Sequence, residues 1–413
     1  MKNAIYGLIG NPLGHSFSPQ IHAELGDYTY RLFPMEQDKV AEFLSKKEFA
    51  GINVTIPYKQ TVMPFCDRIS PEAAAIGSVN TIVKESDGTL SGYNTDYFGF
   101  LSMVKRAKIH VKGKKALVLG SGGSSKTVCC VLNDLGASSV TVISRSGDNN
   151  YGNIEKHSDA QIIVNTTPVG MYPKNGASPV DLSVFSQLTG VLDLIYNPEK
   201  TAFLIQAERL GIPCMGGLYM LVAQGVKASE YFLGTSYSEE VIERVFKRVN
   251  VGLRNVTLVG MPGCGKTPVG IALAKLLDRE LVDCDDYITE KHGRSPAEII
   301  NNDGEAAFRK IETEALAELT KRSGLVLATG GGCVTVSENR ALLRQNGRVI
   351  FLNRPISSLA TDGRPLSQGG IQALQKMYGH RLPLYLGVCD TEINVDGKSS
   401  VEETAALIAK ALG

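Results

Sequence analysis

The chain has 413 residues, which is enough for two or three domains with a hydrophobic core each. Its 43 basic and 42 acidic residues nearly cancel, so charge gives no reason to expect nucleic acid or a membrane surface as a partner. No apolar stretch reaches the length of a membrane span, and the eight cysteines show neither metal-ligand spacing nor a disulfide framework. We therefore expect a globular protein of a reducing, cytoplasmic compartment.

Short apolar runs alternate with segments of helical period along the chain. The first run, within Met1–Gly10, ends at a turn and predicts a strand rather than a secretion signal. Further runs are Lys115–Leu119, Val140–Ser144, Ile162–Asn165, Gly190–Leu194, Val256–Val259, Val326–Ala328 and Val349–Leu352. This alternation predicts an α/β protein with buried, parallel strands.

Several polar turns lie in apolar surroundings within the first hundred residues. They contain Ser16 and Ser18, then Asn53, Thr55 and Lys59, and later Asn80 and Asp96. Many small hydrogen-bonding groups with few charges suit a small polyhydroxylated ligand. Taken singly, each has an ordinary alternative, because Asn and Ser cap turns and a lone lysine is usually a solvated charge.

A first glycine-rich loop follows the run Lys115–Leu119. Its pattern G-x-G-x-x-small consists of Gly120, Gly122 and Ser125, with Gly123 between them. The glycines permit a tight turn and a close approach of the backbone to a pyrophosphate, which predicts a dinucleotide site. A glycine-rich turn without a ligand is the alternative.

The next predicted strand ends at Ser144 and Arg145, where a site for NADH would place a carboxylate. Arg145 can instead pair with the 2′-phosphate of NADPH, so we predict NADPH as the cofactor. A solvated surface arginine is the alternative.

A second glycine-rich loop follows the run Val256–Val259 and is a complete P-loop, G-x-x-x-x-G-K-T. Its backbone can surround a phosphate, Lys266 can reach the β- and γ-phosphates of ATP, and Thr267 can bind Mg²⁺. The predicted nucleotide-binding residues are Gly260, Gly263, Cys264, Gly265, Lys266 and Thr267.

The motifs of residues 1–250 together resemble shikimate dehydrogenase. The resemblance includes Val164–Met171, Asp193–Pro198 and Gly217–Gln224. It implies that Lys59 and Asp96 are the catalytic pair, and that the substrates are 3-dehydroshikimate and shikimate. It further implies a substrate site formed by Ser16, Ser18, Asn53, Thr55, Asn80, Tyr196, Gly217 and Gln224, and a role for Thr166 in binding the cofactor.

Residues 253–413 resemble shikimate kinase, through the P-loop and through Asp283–Asp285, Asp303–Glu312, Gly330–Gly332, Arg364–Leu366 and Arg381–Tyr385. The resemblance implies that Asp283 binds Mg²⁺ and that Asp285 accepts a proton from the substrate. It also implies that Arg309, Gly331 and Arg381 bind shikimate, and that Arg364 and Lys266 act on the transferred phosphoryl group.

The expected architecture is an N-terminal α/β substrate domain with a Rossmann-type domain, followed by a P-loop kinase domain with a parallel sheet. The expected boundaries are 1–100 with 225–250, 101–224 and 253–413. The expected function is reduction of 3-dehydroshikimate and then phosphorylation of shikimate. Because the segment before Arg364 is short, a nucleotide-sensing, catalytically weak kinase-like module is the alternative for the second half. Quinate is an alternative substrate for the first half, and the oligomeric state stays open.

Overall fold

The computed structural model describes residues 4–14, 16–359, 370–396 and 399–412. The chain divides into two compact units, Met1–Val249 and Asn250–Gly413. Each unit has its own sheets and its own hydrophobic core.

The first lobe of the first unit is built on a six-stranded sheet with the strand order β2-β1-β3-β5-β6-β4. Its elements are β1 Tyr6–Gly10, α1 Ser18–Ala23, β2 Tyr30–Pro34, α2 Gln37–Lys46, β3 Gly51–Val54, β4 Arg68–Ile69, α3 Pro71–Ile76, β5 Thr81–Lys84, β6 Leu90–Tyr93 and α4 Thr95–Arg106. Strand β5 runs antiparallel to both β3 and β6. The expectation of parallel strands therefore fails for this part of the first sheet, because β5 and β6 form a short hairpin that no helix connects.

The second lobe has a five-stranded sheet with the order β11-β10-β9-β7-β8, in which every pair is parallel. Its elements are β7 Lys115–Leu119, α5 Gly123–Asp134, β8 Ser139–Ile143, β9 Ile162–Asn165, β10 Gly190–Asp193, α6 Ala202–Arg209 and β11 Cys214–Gly216. The chain continues in α7 Leu218–Leu233 and in α8 Glu239–Leu253, which extends past the boundary between the two units. Strands β7, β9 and β10 are almost entirely buried, as expected for a sheet covered on both faces.

Two helices, α4 and α7, pack against each other and belong to both lobes. Asn94 caps α4, because its side chain accepts a hydrogen bond from Tyr97 N at 3.3 Å. The expected boundaries at 100/101 and 224/225 fall inside these helices, since each runs unbroken past its boundary. The division of the first unit into two domains stays a prediction.

The second unit has a five-stranded parallel sheet with the order β13-β14-β12-β15-β16. Its elements are β12 Asn255–Val259, α9 Lys266–Leu277, β13 Leu281–Asp283, α10 Cys284–His292, α11 Pro296–Asp303, α12 Glu305–Leu319, β14 Val326–Ala328, α13 Ser337–Gln345, β15 Gly347–Asn353, α14 Gly370–Val388, β16 Thr391–Asn394 and α15 Val401–Leu412. The α/β class with parallel sheets is thus confirmed for this unit.

Within the described residues, no helix is both long and apolar enough to cross a membrane. All eight cysteines are free thiols.

Candidate active sites

The polar turns of the first lobe meet at one edge of its sheet. Strands β1 and β3 are parallel neighbours, so the turns that follow them leave at the same edge. Strand β5 begins there and β6 ends there, because each is antiparallel to its neighbour. Asn11 N donates to Ile56 O at 3.2 Å and joins two of these turns directly. A cavity of about 410 Å³ lies at this edge.

An ion pair lies in the wall of this cavity. The Lys59 ammonium donates to Asp96 Oδ2 at 2.6 Å. The two side chains are only 25% and 15% exposed, so the pair is partly shielded while both residues still line the cavity. An ammonium held in this way can stabilise negative charge on a substrate oxygen and deliver a proton to it.

Amide side chains line the floor of the cavity and are held by a buried network. Asn53 Oδ1 accepts from the Tyr30 hydroxyl at 2.8 Å, and Asn53 Nδ2 donates to Thr81 Oγ1 at 3.0 Å. Asn80 Oδ1 accepts from the Thr95 backbone N–H at 2.7 Å. These bonds fix the orientation of the amides before any ligand binds, which lowers the entropic cost of recognition.

The opposite side of the cavity carries hydroxyl groups. Ser16 Oγ donates to Ser18 Oγ at 3.2 Å, and Tyr196 comes from the loop after β10. Burial raises the pKa of the Tyr196 hydroxyl above its ordinary value, so this group stays a neutral donor. The cavity lining also includes Thr55, Gly217 and Gln224, so it contains all ten substrate-site residues named from sequence, the catalytic pair among them.

The first glycine-rich loop connects β7 to α5 as expected. Gly120 adopts φ of 103°, a left-handed conformation that favours glycine, and an added Cβ would lie 2.9 Å from Thr166 Oγ1. At Gly122 and Gly123 an added Cβ would meet open space, so the N-terminal end of α5 is accessible. Such an end favours an anionic group.

The end of β8 lies beside this loop. Gly120 N donates to Ile143 O at 2.8 Å, and Ser144 and Arg145 follow directly. Arg145 is exposed at this edge of the second sheet. The arrangement fits a dinucleotide whose pyrophosphate lies at α5 and whose ribose lies toward Arg145.

The loop after β9 is tied to the loop after β10 by a buried carboxylate. Asp193 Oδ1 accepts from Asn165 Nδ2 at 3.0 Å and from Ile195 N at 3.1 Å, and Asp193 Oδ2 accepts from Thr201 Oγ1 at 2.7 Å. Burial raises the pKa of Asp193 to about 6. Asp193 thus connects the loop of Thr166 to that of Tyr196.

In the second unit, the P-loop connects β12 to α9. Lys266 Nζ donates to Gly260 O at 3.0 Å and to Met261 O at 3.1 Å, and the Lys266 side chain is buried. Thr267 Oγ1 donates to Asp283 Oδ2 at 2.6 Å. A hydroxyl and a carboxylate oxygen this close form a donor set that suits Mg²⁺, which keeps several water ligands.

A cavity of about 350 Å³ extends from the P-loop to α10 and α12, and both Asp285 and Arg309 line it. The Asp285 side chain faces this cavity, yet the surrounding protein raises its pKa by desolvation, with a smaller contribution from the charge of Asp283. On the far wall, Arg381 Nη1 donates to Gly331 O at 3.1 Å. The cavity therefore joins a phosphate-binding loop to a carboxylate and two guanidinium groups.

Two family models match this chain. Residues 8–82 match the shikimate dehydrogenase substrate binding domain, and residues 262–412 match shikimate kinase. A shikimate dehydrogenase (NADP(+)) from Clostridium perfringens (strain SM101 / Type A) is 38% identical over 266 residues, which cover 59% of this chain and 98% of that protein. This chain belongs to the shikimate dehydrogenase family. It also carries a shikimate kinase domain.

Solved structures agree with the dehydrogenase assignment. A chorismate mutase/shikimate 5-dehydrogenase fusion protein from Clostridium acetobutylicum has 37% identity and a TM-score of 0.58, over 60% of this chain and 98% of that one. A shikimate 5-dehydrogenase from Thermus thermophilus, solved in complex with NADP(H) and shikimate, has 31% identity and a TM-score of 0.54, over 60% of this chain and 99% of that one. The predicted resemblance to both enzyme families is therefore confirmed.

In the kinase domain, one predicted residue, Arg364, lies outside the described residues. The other predicted residues of that domain line the cavity or belong to the P-loop beside it. Their roles in binding and catalysis stay predictions, as do those in the dehydrogenase part.

Sequence reasoning missed Glu312 as a member of the kinase site. This residue lines the cavity, is buried, and accepts from Arg309 Nη1 at 2.7 Å through Oε2. Its Oε1 is buried and has no hydrogen-bond partner among the described residues. Burial raises the pKa of Glu312, although Arg309 opposes that shift. The spacing of Glu312 three positions after Arg309 was the available signal.

Sequence reasoning also missed Tyr30 and His22 beneath the dehydrogenase cavity. The Tyr30 ring stacks on the buried His22 ring with centroids 3.9 Å apart, and its hydroxyl holds Asn53. Burial lowers the pKa of His22 to about 3, so this imidazole stays neutral. No local pattern marks these residues, because the contacts join β2, α1 and β3 across the first lobe.

Proposed function

We propose that this chain reduces 3-dehydroshikimate to shikimate with NADPH, and then transfers a phosphoryl group from ATP to the 3-hydroxyl of shikimate. The observation that carries the proposal is the Lys59–Asp96 pair, at 2.6 Å, in a cavity lined by neutral amides and hydroxyls. The second cavity supports the second reaction, because it places the P-loop beside Asp285 and two arginines.

In the first reaction, Lys59 would donate a proton to the 3-keto oxygen as that oxygen gains negative charge. Asp96 would orient the ammonium through their hydrogen bond. Asn53 and Asn80 would bind ring hydroxyls, while Ser16 and Ser18 would bind the carboxylate end. The ketone thus becomes an alcohol by gaining a hydride and a proton.

NADPH would supply the hydride when bound, and the second lobe fits such a group. The accessible N-terminal end of α5 would receive the pyrophosphate, and Arg145 the 2′-phosphate. The similar protein from Clostridium perfringens is a shikimate dehydrogenase (NADP(+)), which supports this choice of cofactor.

In the second reaction, Asp285 would accept the proton of the attacking hydroxyl. Its raised pKa makes the carboxylate a stronger base than an exposed aspartate. Arg309 and Arg381 would hold the substrate carboxylate and so fix the hydroxyl in line with ATP. Lys266 would neutralise phosphate charge as the bond to the leaving group breaks.

Mg²⁺ would be held by Thr267 and, largely through water, by Asp283. It would neutralise charge on the β- and γ-phosphates of ATP. The 2.6 Å contact between these two side chains supports the assignment.

A single reaction mixture tests the whole proposal. Purified protein receives 3-dehydroshikimate, NADPH and MgATP, while NADPH oxidation, ADP release and organic products are followed together. We expect shikimate to form first and shikimate 3-phosphate to follow, with ADP released only when shikimate is present. NADPH oxidation without any ADP release, even with added shikimate, would favour the nucleotide-sensing module instead. If the dehydrogenase part oxidised quinate faster than shikimate, quinate would be its substrate instead.

A further inference from the structure

Arg354 lies against the P-loop, although no sequence motif marks it. It follows β15 directly, and β15 is the parallel neighbour of β12, the strand that leads into the P-loop. The side-chain Nη2 of Arg354 lies 3.7 Å from the point that a Cβ of Gly265 would occupy. The guanidinium therefore lies beside Gly265, the residue that precedes Lys266.

Not every hydrogen-bond donor of this guanidinium has a partner. Its Nε is buried and has no hydrogen-bond partner among the described residues. The described part of the chain also gives Arg354 no carboxylate partner. A buried donor without a partner destabilises the folded protein, so a native structure keeps one where a ligand or another group satisfies it.

We propose that Arg354 is a further nucleotide-binding residue, and that its guanidinium contacts the phosphate chain of ATP and ADP. The inference rests on the proposed kinase function and adds a residue to that site. A nucleoside triphosphate carries several negative charges, and Lys266 is the one cation that the P-loop itself contributes. The Arg354 guanidinium, as a second cation beside Gly265, would help Lys266 to neutralise the charges of the phosphates. Its planar array of donors also suits phosphate oxygens.

The proposal is tested by direct binding and by kinetics on the full-length chain. Calorimetry measures the Kd of ADP for wild type, Arg354→Ala, Arg354→Gln and Arg354→Lys, each with Mg²⁺. We expect about 10- to 100-fold weaker ADP binding for the alanine and glutamine variants, since a charged hydrogen bond contributes roughly 1.5–3 kcal/mol. The lysine variant should recover part of the loss, because it keeps the charge. The KM for MgATP should rise similarly, with the KM for shikimate within twofold of wild type.

Arg348→Ala is the matched control. Arg348 lies at the other end of β15 and also has a buried Nε without a partner among the described residues, so it shares the unsatisfied donor but not the P-loop contact. We expect it to bind ADP as wild type does. Dehydrogenase activity of every variant reports that the chain is folded in its first unit, and circular dichroism reports on the whole chain.

Three outcomes would overturn the proposal. Arg354→Ala could bind ADP within twofold of wild type, Arg354→Gln could bind like wild type and so exclude a charge effect, or wild type could fail to bind ADP at all. A failure of the proposed kinase function can be told apart from a failure of the Arg354 proposal, because wild type would then bind ADP without phosphorylating shikimate. In that case weaker ADP binding by Arg354→Ala would still support the contact.

Discussion

The Lys59 ammonium and the Asp96 carboxylate meet at 2.6 Å, although 37 positions separate them in the chain. Lys59 lies in the turn after β3, and Asp96 lies in the first turn of α4. The pair forms because β3 ends and β6 leads into α4 at the same edge of one sheet. Its position in the cavity wall, rather than its contribution to stability, is what makes it a candidate for catalysis.

Replacing Lys59 should therefore abolish most of the dehydrogenase activity. We expect Lys59→Ala to lower kcat by a factor of about 10² to 10⁴, the usual effect of losing a general acid. Steady-state rates in both directions measure this, and kinase activity should not change. Lys115→Ala is the control, because Lys115 is also paired with an aspartate, Asp159, but on an exposed surface. Equal losses in the two variants would contradict a catalytic role.

Arg145 should set the choice of dinucleotide. We expect Arg145→Ala to raise the KM for NADPH by roughly 10- to 100-fold, since a charged hydrogen bond to the 2′-phosphate is lost. The KM for NADH, which lacks that phosphate, should stay within twofold. The ratio of kcat/KM for the two cofactors is the measurement. Arg209→Ala is the control, because Arg209 ends α6 on the edge of the sheet opposite to the glycine-rich loop. If Arg145→Ala left the ratio of kcat/KM for NADPH and NADH unchanged, Arg145 would be a surface residue without a role in cofactor choice.

Asp193 should make the dehydrogenase unit less stable as pH rises. Its folded-state pKa of about 6 lies above the ordinary value of 3.8, so the folded protein favours the neutral form. The stability from that form is fully present below about pH 4 and is lost as pH rises through about 6. Relative to Asp193→Asn, wild type should lose up to about 3 kcal/mol over this range, because the folded-state pKa lies about two above the ordinary value.

Urea unfolding, followed by circular dichroism at several pH values, measures this difference. The comparison should be made on the transition that the Asp193→Asn substitution moves, because the two units can unfold separately. Asp181→Asn is the control, since hydrogen bonds from Ser183 lower the pKa of the exposed Asp181 carboxyl instead. If the difference in the free energy of unfolding between wild type and Asp193→Asn stayed constant from pH 4 to 7, folding would not favour the neutral form of Asp193.

The seven apolar runs predicted from residue 115 onward match strands to within two residues at both ends, because buried parallel strands are continuous apolar runs. No run was predicted for β2 to β6, β11, β13 and β16, which are short or only partly apolar. The residues that line the first cavity were assigned from the resemblance to shikimate dehydrogenase, and the structure brings them together at one edge of a sheet. The roles of Tyr30 and Glu312 could not be predicted in this way. Tyr30 acts on Asn53 across two strands, and the importance of Glu312 depends on its burial, which only the packed structure reveals. The β5–β6 hairpin was missed for a similar reason, since strand direction depends on pairing.

Gly332 should be essential for shikimate binding by the kinase, because it leaves space for Arg309. A Cβ at Gly332 would overlap Arg309 Nη2, so the two groups could not both keep their places. The guanidinium also pairs with Glu305 and Glu312, so it cannot move without breaking one of these bonds. We expect Gly332→Ala to raise the KM for shikimate in the kinase reaction at least tenfold, with the KM for MgATP within twofold.

Gly379→Ala is the matched control for this substitution. Gly379 lies within α14, and an added Cβ there would meet nothing within 4 Å. Alanine should stabilise the helix by about 1 kcal/mol and leave both KM values unchanged. Calorimetric titrations with shikimate, fitted with one site in each unit, separate weaker binding at the kinase site from slower chemistry. If Gly332→Ala bound shikimate as tightly as wild type, Arg309 would not be a substrate-binding residue in its present position, and Arg381 alone would have to hold the carboxylate.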